Sequence, residues 1–370
     1  MSKASDLANL IGNINAGGGG VNRNVIINGA MNVAQRGTSS TGIGASSGYF
    51  VCDRWHFNVG STAGRLTMTQ DSSAPSGFAN SMKLECTTAD TSIAAGEAAL
   101  IQQRIEGQNL QAFAKGTSDA KPFAVSFYVK GNASATYACE LFDRDNTRQA
   151  SKLFNVTTDW TRVELTFDKD TTGAFADDNG TSLDLSIFLH AGSTFSSGTL
   201  NQTFASSTNA NRAVGISSFF DSTDRTFFIT GVQLEVGQNP TSFEHIPFEK
   251  ELLSCRRYYH KIDSSDSIYQ RLGQGQAYSN DDAVLFFHHV PEMRGIPTLD
   301  HGTLSDLAVG LSGLTAKSMG SLTIDTNTDG ANTTCLIAGD VTDDGLSAGN
   351  VVQIFSNNNS NGYIAFKAEL

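Results

Sequence analysis

The segment "PFAVSFYVKG", residues Pro122 to Gly131, decides the fold class of this chain. Every second residue in it is large and apolar: Phe123, Val125, Phe127 and Val129. Because successive side chains of a β-strand point to opposite faces of the sheet, these residues share one face, and the other face is mostly polar. This alternation predicts a strand of an antiparallel sheet that buries one of its sides.

The same alternation recurs in two series along the chain. The first series continues in "TRVELTFDKD" (161–170), "TSLDLSIFLHAG" (181–192) and "TFFITGVQLEVG" (226–237), and the second comprises "DDAVLFFHHV" (281–290), "NVVQIF" (350–355) and "GYIAFKAEL" (362–370). No segment alternates such strands with long amphipathic helices, which argues against a parallel α/β sheet. We therefore predict an all-β protein with two antiparallel β-sandwich domains that are jelly-roll-like.

A charged segment that does not alternate, "EKELLSCRRYYHK" at 249–261, separates the two series. We predict a large sandwich over 21–247, a connecting helix over 248–261 and a small sandwich over 262–370. Tyrosine and arginine are enriched at protein interfaces. Four residues of the connection are therefore predicted to contact the other domain or another subunit: Arg256, Arg257, Tyr258 and Tyr259.

The first 20 residues form a separate segment that we expect to attach the chain to another protein. One helical stripe carries its large apolar residues, namely Leu7, Leu10, Ile11 and Ile14, and the glycines Gly17 to Gly20 follow as a flexible linker. A helix this short is marginal in water unless its apolar stripe is buried. We predict that the stripe packs on a partner; the alternative is a disordered tail.

The composition excludes several classes of partner. The net charge is -12 and the pI is about 4.9, so the chain gains nothing from a phosphate backbone and nucleic acid is not an expected partner. No apolar run reaches the roughly 20 residues of a membrane span, and the N-terminus lacks the apolar core of a signal peptide. We expect a protein that does not insert into membranes and that folds in a cytoplasm.

The five cysteines indicate buried, reduced thiols. They are far apart in the sequence, their number is odd and no CxxC occurs: Cys52, Cys86, Cys139, Cys255 and Cys335. This pattern favours neither a disulfide framework nor a zinc site.

No motif in the sequence points to catalysis. Carboxylates such as Asp168 and Asp170 occur at turns, where aspartate is common, and there is no GxSxG, HExxH or P-loop. The turn "DTNTDG" (325–330) matches the first half of a calcium loop, but Leu336 stands at the twelfth position, where a carboxylate is expected. We predict no enzyme, no cofactor and no metal site, and calcium binding by this turn stays open.

Several motifs together resemble a known family. They are "NVIINGAMNVAQRGTS" (24–39) with "DRW" (53–55), "ITGVQLEVG" (229–237) with "TSFEHIPFEKELLSCRRYYHK" (241–261), and "VPEMRGIPTL" (290–299) with "YIAFKAEL" (363–370). In combination they resemble the tail-fibre and other virion structural proteins of bacteriophages. In addition, residues 122–190 resemble the jelly-roll carbohydrate-binding modules of polysaccharide-degrading enzymes.

The resemblance implies a virion structural protein, on the tail or the capsid surface, that is assembled in the host cytoplasm. We expect a tail-fibre or receptor-binding protein whose partners are other virion proteins, two further copies in a trimer, and host surface polysaccharide. Glycan contact is predicted at a polar turn of the large sandwich, through Asp143, Asp145 and Asn146. The alternatives are a capsid decoration or tail-accessory protein without receptor binding, and a depolymerase.

Overall fold

The computed structural model describes residues 3–15, 22–310, 316–326, 330–342 and 346–370, without the side chains of 12–15. The chain divides into two compact units. The large unit is Met1–Glu251 together with Leu370, and the small unit is Leu252–Glu369. The division falls inside the segment that was predicted to connect the two sandwiches.

The large unit consists of two antiparallel sheets, and strands are numbered β1 to β22 in chain order. The first sheet has the order β1 (Ser39–Ile43), β4 (Arg65–Asp71), β5 (Ser81–Thr88), β13 (Thr226–Val236), β7 (Phe123–Gly131) and β10 (Thr161–Phe167). The second has the order β12 (Ala205–Ser206), β9 (Arg148–Val156), β8 (Ala135–Asp143), β11 (Thr181–Ala191), β6 (Ala98–Glu106), β3 (His56–Gly60) and β2 (Gly48–Tyr49).

The apolar faces of these two sheets share one core. Phe123 and Phe127 of β7 belong to the same buried cluster as Leu185 and Ile187 of β11. Trp55 is fully buried in this cluster, and its indole Nε1 donates a hydrogen bond to the carbonyl oxygen of Asn28 at 3.1 Å. The segment "PFAVSFYVKG" therefore does form a half-buried strand of an antiparallel sandwich, as its alternation predicts.

The small unit also has two antiparallel sheets. One has the order β14 (Tyr259–Asp263), β22 (Tyr363–Lys367) and β17 (Thr298–His301). The other has the order β18 (Leu307–Gly310), β21 (Val351–Ser356), β15 (Arg271–Ala277), β16 (Ala283–His288), β20 (Thr333–Gly339) and β19 (Ser321–Ile324). Residues of both sheets, such as Phe366 and Leu285, belong to one core cluster, so the predicted all-β class of antiparallel sandwiches is confirmed.

The described helices are short. They are α1 (Lys3–Asn15), α2 (Ser193–Ser196) and α3 (Phe248–Arg256), and none of them has the length and apolarity that a bilayer crossing requires. The connecting helix was predicted to reach residue 261, but α3 ends at Arg256. The reason is that Tyr259–Asp263 pair with β22, so a sheet satisfies their backbone groups instead of a helix.

All five cysteines are buried, as predicted, and none of them lies in a disulfide. Burial raises the pKa of the Cys86 thiol to about 11, and it also raises the pKa values of Cys52 and Cys139. These three side chains are therefore protonated thiols at neutral pH.

Buried ion pairs connect the loops and strands of the large unit. The ammonium group of Lys115 lies 2.6 Å from a carboxylate oxygen of Asp143 and 3.1 Å from one of Asp170, and the Lys115 side chain is fully buried. Arg148 also pairs with Asp170, at 2.8 Å. Lys115 belongs to the connection before β7, Asp143 ends β8 and Asp170 follows β10, so one ammonium group joins three parts of the chain.

We expect the Lys115→Met substitution to lower the free energy of unfolding of the large unit by about 3–5 kcal/mol, because it leaves Asp143 buried without its counter-charge. Both tryptophans, Trp55 and Trp160, lie in the large unit, so tryptophan fluorescence in a urea titration reports on that unit. Lys83→Met is the matched control, since Lys83 pairs with Glu85 near the surface and should change the value by less than about 1 kcal/mol. Equal effects of the two substitutions would contradict the expectation.

Candidate functional site

The outer face of the six-stranded sheet in the small unit carries an unusual set of exposed side chains. Along β16 the side chains alternate between buried and accessible positions, whereas in β15 a register shift between Arg271 and Gly273 interrupts the alternation. Leu272, Leu285 and Phe287 point into the core. Four side chains of the same two strands point outward instead, namely Gln274, Gln276, Phe286 and His288.

The strand register brings the outward residues together. Gln274 on β15 lies directly opposite Phe286 on β16, and on its other side it lies opposite Gln353 on β21. Directly opposite residues on one face have Cβ atoms about 5 Å apart, so the two amides and the phenyl ring form one row across the sheet. The close pairing requires glycine at position 275, because a Cβ there would lie 1.8 Å from the carbonyl oxygen of Val284.

An open groove of about 760 Å³ is lined by Gln274, Gln276, Phe286 and His288, together with Gly275, Gly349 and Val351. A second hollow of about 320 Å³ shares Gln276, Phe286 and Gly349 with it and adds Tyr278. Phe286 is 48% exposed and Tyr278 is 77% exposed. Two aromatic rings are therefore accessible next to amide side chains.

The groove suits a neutral, polar ligand with an apolar face. Each glutamine amide offers two donors and one acceptor, and the aromatic rings offer flat apolar surfaces. None of the described residues that line the groove carries a carboxylate, an ammonium or a guanidinium group. Binding there would therefore depend on ring contacts and hydrogen bonds instead of ion pairs.

The predicted glycan-contact residues of the large unit lie elsewhere and have other partners. Asp143 is fully buried against Lys115 and presents no atom to a surface ligand. The amide of Asn146 donates to the Asp143 carboxylate at 3.0 Å and to the carbonyl oxygen of Ala174 at 2.9 Å. Asp145 is exposed and accepts a hydrogen bond from the Ala176 amide, so glycan contact by Asp145 stays a prediction.

Of the predicted contact residues in the connection, Tyr258 and Tyr259 are buried and Arg256 and Arg257 are half-buried. Tyr258 accepts a backbone hydrogen bond from Ala368 at 2.8 Å. This pairing ties the segment to the end of the small unit, and contact with another domain or subunit stays a prediction.

The N-terminal stripe is partly accessible. Leu7 is 57% exposed, Ile11 is 50% exposed and Leu10 is half-buried, while the side chain of Ile14 lies outside the described residues. The attachment role of this stripe stays a prediction. The possible calcium ligands in "DTNTDG" include residues 327–329, which also lie outside the described residues.

Sequence reasoning missed the groove. Part of the signal was present, because "AVLFFHH" (283–289) alternates and places Phe286 and His288 on the side away from the core. In "RLGQGQA" (271–277), Leu272 has the same parity as Gln274 and Gln276, so alternation alone would not separate the core residue from the exposed glutamines. What the sequence does not give is the register that sets Gln274 beside Phe286.

The comparisons with known proteins find distant structural likeness only. No protein-family model matches the sequence, and no curated protein matches it significantly. Among solved structures, the enzymatically active domain of tailspike protein 4 of bacteriophage CBA120 is 12% identical with a TM-score of 0.30, and the match covers 58% of this chain and 21% of that one.

Two carbohydrate-binding modules show likeness of the same order. A family 61 module in complex with β-1,4-galactotriose is 10% identical with a TM-score of 0.31, and the match covers 58% of this chain and 99% of that one. A family 11 module from Clostridium thermocellum, in complex with a mixed-linked tetrasaccharide, is 10% identical with a TM-score of 0.26, and the match covers 56% and 98%. Likeness this distant does not identify a ligand for this chain.

A buried histidine pair lies on the core side of the strand that carries His288. The Nδ1 atoms of His260 and His289 are 3.5 Å apart, and Nε2 of His289 lies 2.9 Å from the Thr334 hydroxyl. Burial lowers the pKa of both imidazoles to about 4, and for His260 the positive charge of Arg256 contributes as well. Both side chains are therefore neutral in the folded small unit at neutral pH.

We expect the small unit to lose stability as the pH falls from about 6.5 to about 4. In this window the unfolded chain binds protons at these histidines and the folded unit does not, so protonation favours unfolding. Calorimetry at several pH values measures the effect, with tryptophan fluorescence to identify the transition of the large unit. His289→Gln should flatten the pH dependence, whereas His288→Gln, on the exposed face of the same strand, should not. An unchanged profile in His289→Gln would contradict this account.

Proposed function

We propose that this chain is a carbohydrate-binding structural protein of a bacteriophage particle, of the tail-fibre or receptor-binding type, and that it binds neutral sugars in the small-unit groove. The observation that carries the proposal is the exposed ring of Phe286 directly opposite the amide of Gln274. The motifs that resemble virion proteins support a place in a phage particle, and the groove supports neutral sugars as the class of ligand.

The chemistry of the groove matches that of a sugar ring. A pyranose has an apolar face of C–H groups and a rim of hydroxyl groups, so it can pack on a phenyl ring while amides exchange hydrogen bonds with its rim. The amides of Gln274 and Gln276 lie on the strand next to Phe286, within reach of the same ligand. Because the described lining contains no lysine or arginine, the groove should prefer neutral sugars to acidic ones.

Such a groove is shallow and open, so a single site would bind weakly. A fibre overcomes this limit by repetition, because linked copies that engage one polysaccharide together gain avidity without any new contact. The predicted trimer and the attachment through the N-terminal stripe would supply that repetition.

We further propose that the protein binds its glycan without cleaving it. Glycoside hydrolysis generally uses a pair of carboxyl groups that flank the scissile bond, and the described residues of the groove provide none. Incubation with host polysaccharide should therefore leave the polymer length unchanged, and shortening of the polymer would favour the depolymerase alternative.

We expect Phe286→Ala to weaken binding of the purified protein to host cells and to neutral host oligosaccharides by about tenfold or more, as truncation of a central aromatic contact typically does. Tyr269→Ala is the control, since Tyr269 is a comparably exposed aromatic of the same unit that does not line the groove. Unchanged binding by Phe286→Ala would reject the groove. A wild-type protein that decorates particles but ignores host cells would instead favour the capsid decoration or tail-accessory alternative.

We expect deletion of residues 1–16 to remove the protein from purified particles, because the stripe that contains Leu7 and Ile11 would no longer bury its apolar surface on a virion partner. Quantitative immunoblotting of particles measures incorporation, and tryptophan fluorescence verifies that the truncated large unit is folded. Leu7→Ser with Ile11→Ser should reduce incorporation in the same direction. Normal incorporation of the truncated protein would reject attachment by this segment.

A further inference from the structure

A histidine and two carboxylates meet inside the large unit, away from the groove. Asp90 lies in the connection between β5 and β6, Glu97 directly precedes β6, and His190 lies near the end of β11. One ligand atom from each of these residues lies within 4.8 Å of the other two. All three residues are buried.

This cluster differs from several other buried carboxylates of the unit in its counter-charges. Asp143, Asp170, Glu140, Asp184 and Glu235 each lie within ion-pair distance of a lysine or an arginine. For Asp90 and Glu97, the ion pairs among the described residues include no lysine or arginine, and His190 is the one basic partner, with Nε2 3.1 Å from Glu97. Because a carboxylate withdrawn from water needs compensating charge, two of them here leave a deficit of positive charge.

The surrounding residues hold the three side chains in position. Nδ1 of His190 lies 2.8 Å from the Ser218 hydroxyl, so Nε2 points toward the carboxylates. One oxygen of Asp90 accepts hydrogen bonds from the Thr62 hydroxyl and the Ala63 amide, both at 2.8 Å. Metal-binding histidines and carboxylates are typically oriented by such outer contacts.

The donor set identifies a class of cation. Calcium takes six to eight oxygen ligands and magnesium an octahedron of oxygens, whereas zinc binds imidazole nitrogen and carboxylate oxygen together in a tetrahedron. Two atoms that each lie about 2 Å from a tetrahedral zinc ion are about 3.3 Å apart. The distance of 3.1 Å between His190 Nε2 and Glu97 is close to this value.

We propose that Asp90, Glu97 and His190 bind one Zn²⁺ ion, with water as the fourth ligand. The ion would supply the missing positive charge and fasten the connection between β5 and β6 to β11. The backbone already joins these parts, since the Asp90 amide donates to the carbonyl oxygen of Phe220 at 2.8 Å and the Gly192 amide donates to that of Glu97 at 2.8 Å. The role is structural, and the proposal departs from the expectation from sequence that the chain has no metal site.

The rival arrangement contains a proton where the metal would lie. In it, Glu97 is protonated and donates to Asp90, while Nε2–H of His190 donates to Glu97. This network carries less positive charge than the zinc site, but its hydrogen bonds satisfy the same atoms of Asp90, Glu97 and His190. The two arrangements differ in their response to added zinc.

The test uses the full-length protein, treated with EDTA and dialysed, and Zn²⁺ as the probe. Calorimetric titration should show one saturable site, and the melting temperature reported by tryptophan fluorescence should rise by roughly 5–10 °C at about a hundredfold excess of zinc over Kd. Glu97→Gln keeps the size and hydrogen-bonding capacity of the side chain but removes the charge, and should weaken zinc binding by about tenfold or more and remove most of the shift.

His288→Gln is the control, because His288 is an exposed imidazole of the small unit that could bind zinc by itself, and this variant should keep both the site and the shift. If Glu97→Gln fails to fold, Asp90→Asn provides the same comparison. No shift in the wild type, or equal zinc affinity in the wild type and the charge-removed variant, would overturn the metal site and leave the proton-linked network. Neither result bears on glycan binding in the groove.

Discussion

A carboxylate that leaves water must find an opposite charge, and the large unit is organised around this requirement. Buried ion pairs help to hold the connections between its strands in place. Lys115 is the central example, because its ammonium group neutralises Asp143 and shares Asp170 with Arg148. The attraction gains strength from the low dielectric inside the protein, but it also makes each pair indispensable, since removal of one partner leaves the other charged and buried.

The alternation of apolar residues predicted the strands well, but it could not predict the buried ion pairs. The segment 122–131 contains β7, Phe123–Gly131, because period-two patterning is a local property that the sequence displays directly. Asp143 was expected at an exposed polar turn, and instead it is buried, because Lys115 reaches it from a distant part of the chain. His190 and Glu97 are likewise 93 residues apart and meet only through the order of the strands. The groove likewise could not be predicted, because it depends on the register between β15 and β16.

Histidine shows how neighbours decide the chemistry of a buried group. His260 and His289 face each other, and Arg256 adds its positive charge beside His260, so burial opposes protonation of both imidazoles and the pair is neutral. His190 instead faces Glu97, with Asp90 beside it, so its neighbours are carboxyl groups and not a cation. The first arrangement makes the small unit sensitive to acid, and the second makes the large unit a candidate for stabilisation by a cation.

The location of the groove follows from what covers each sheet. In the large unit, the chain itself packs on the outer face of β6, β8 and β11, where Ala213 joins a cluster with Leu100 and Phe188. The guanidinium of Arg212 lies over the Phe188 ring and pairs with Glu140, so Arg212 covers part of the same face. On β15 and β16 of the small unit, Gln274 and Phe286 are instead exposed. A sheet face can bind a ligand only where its own chain leaves it accessible, and the outer face of β15 and β16 meets this condition.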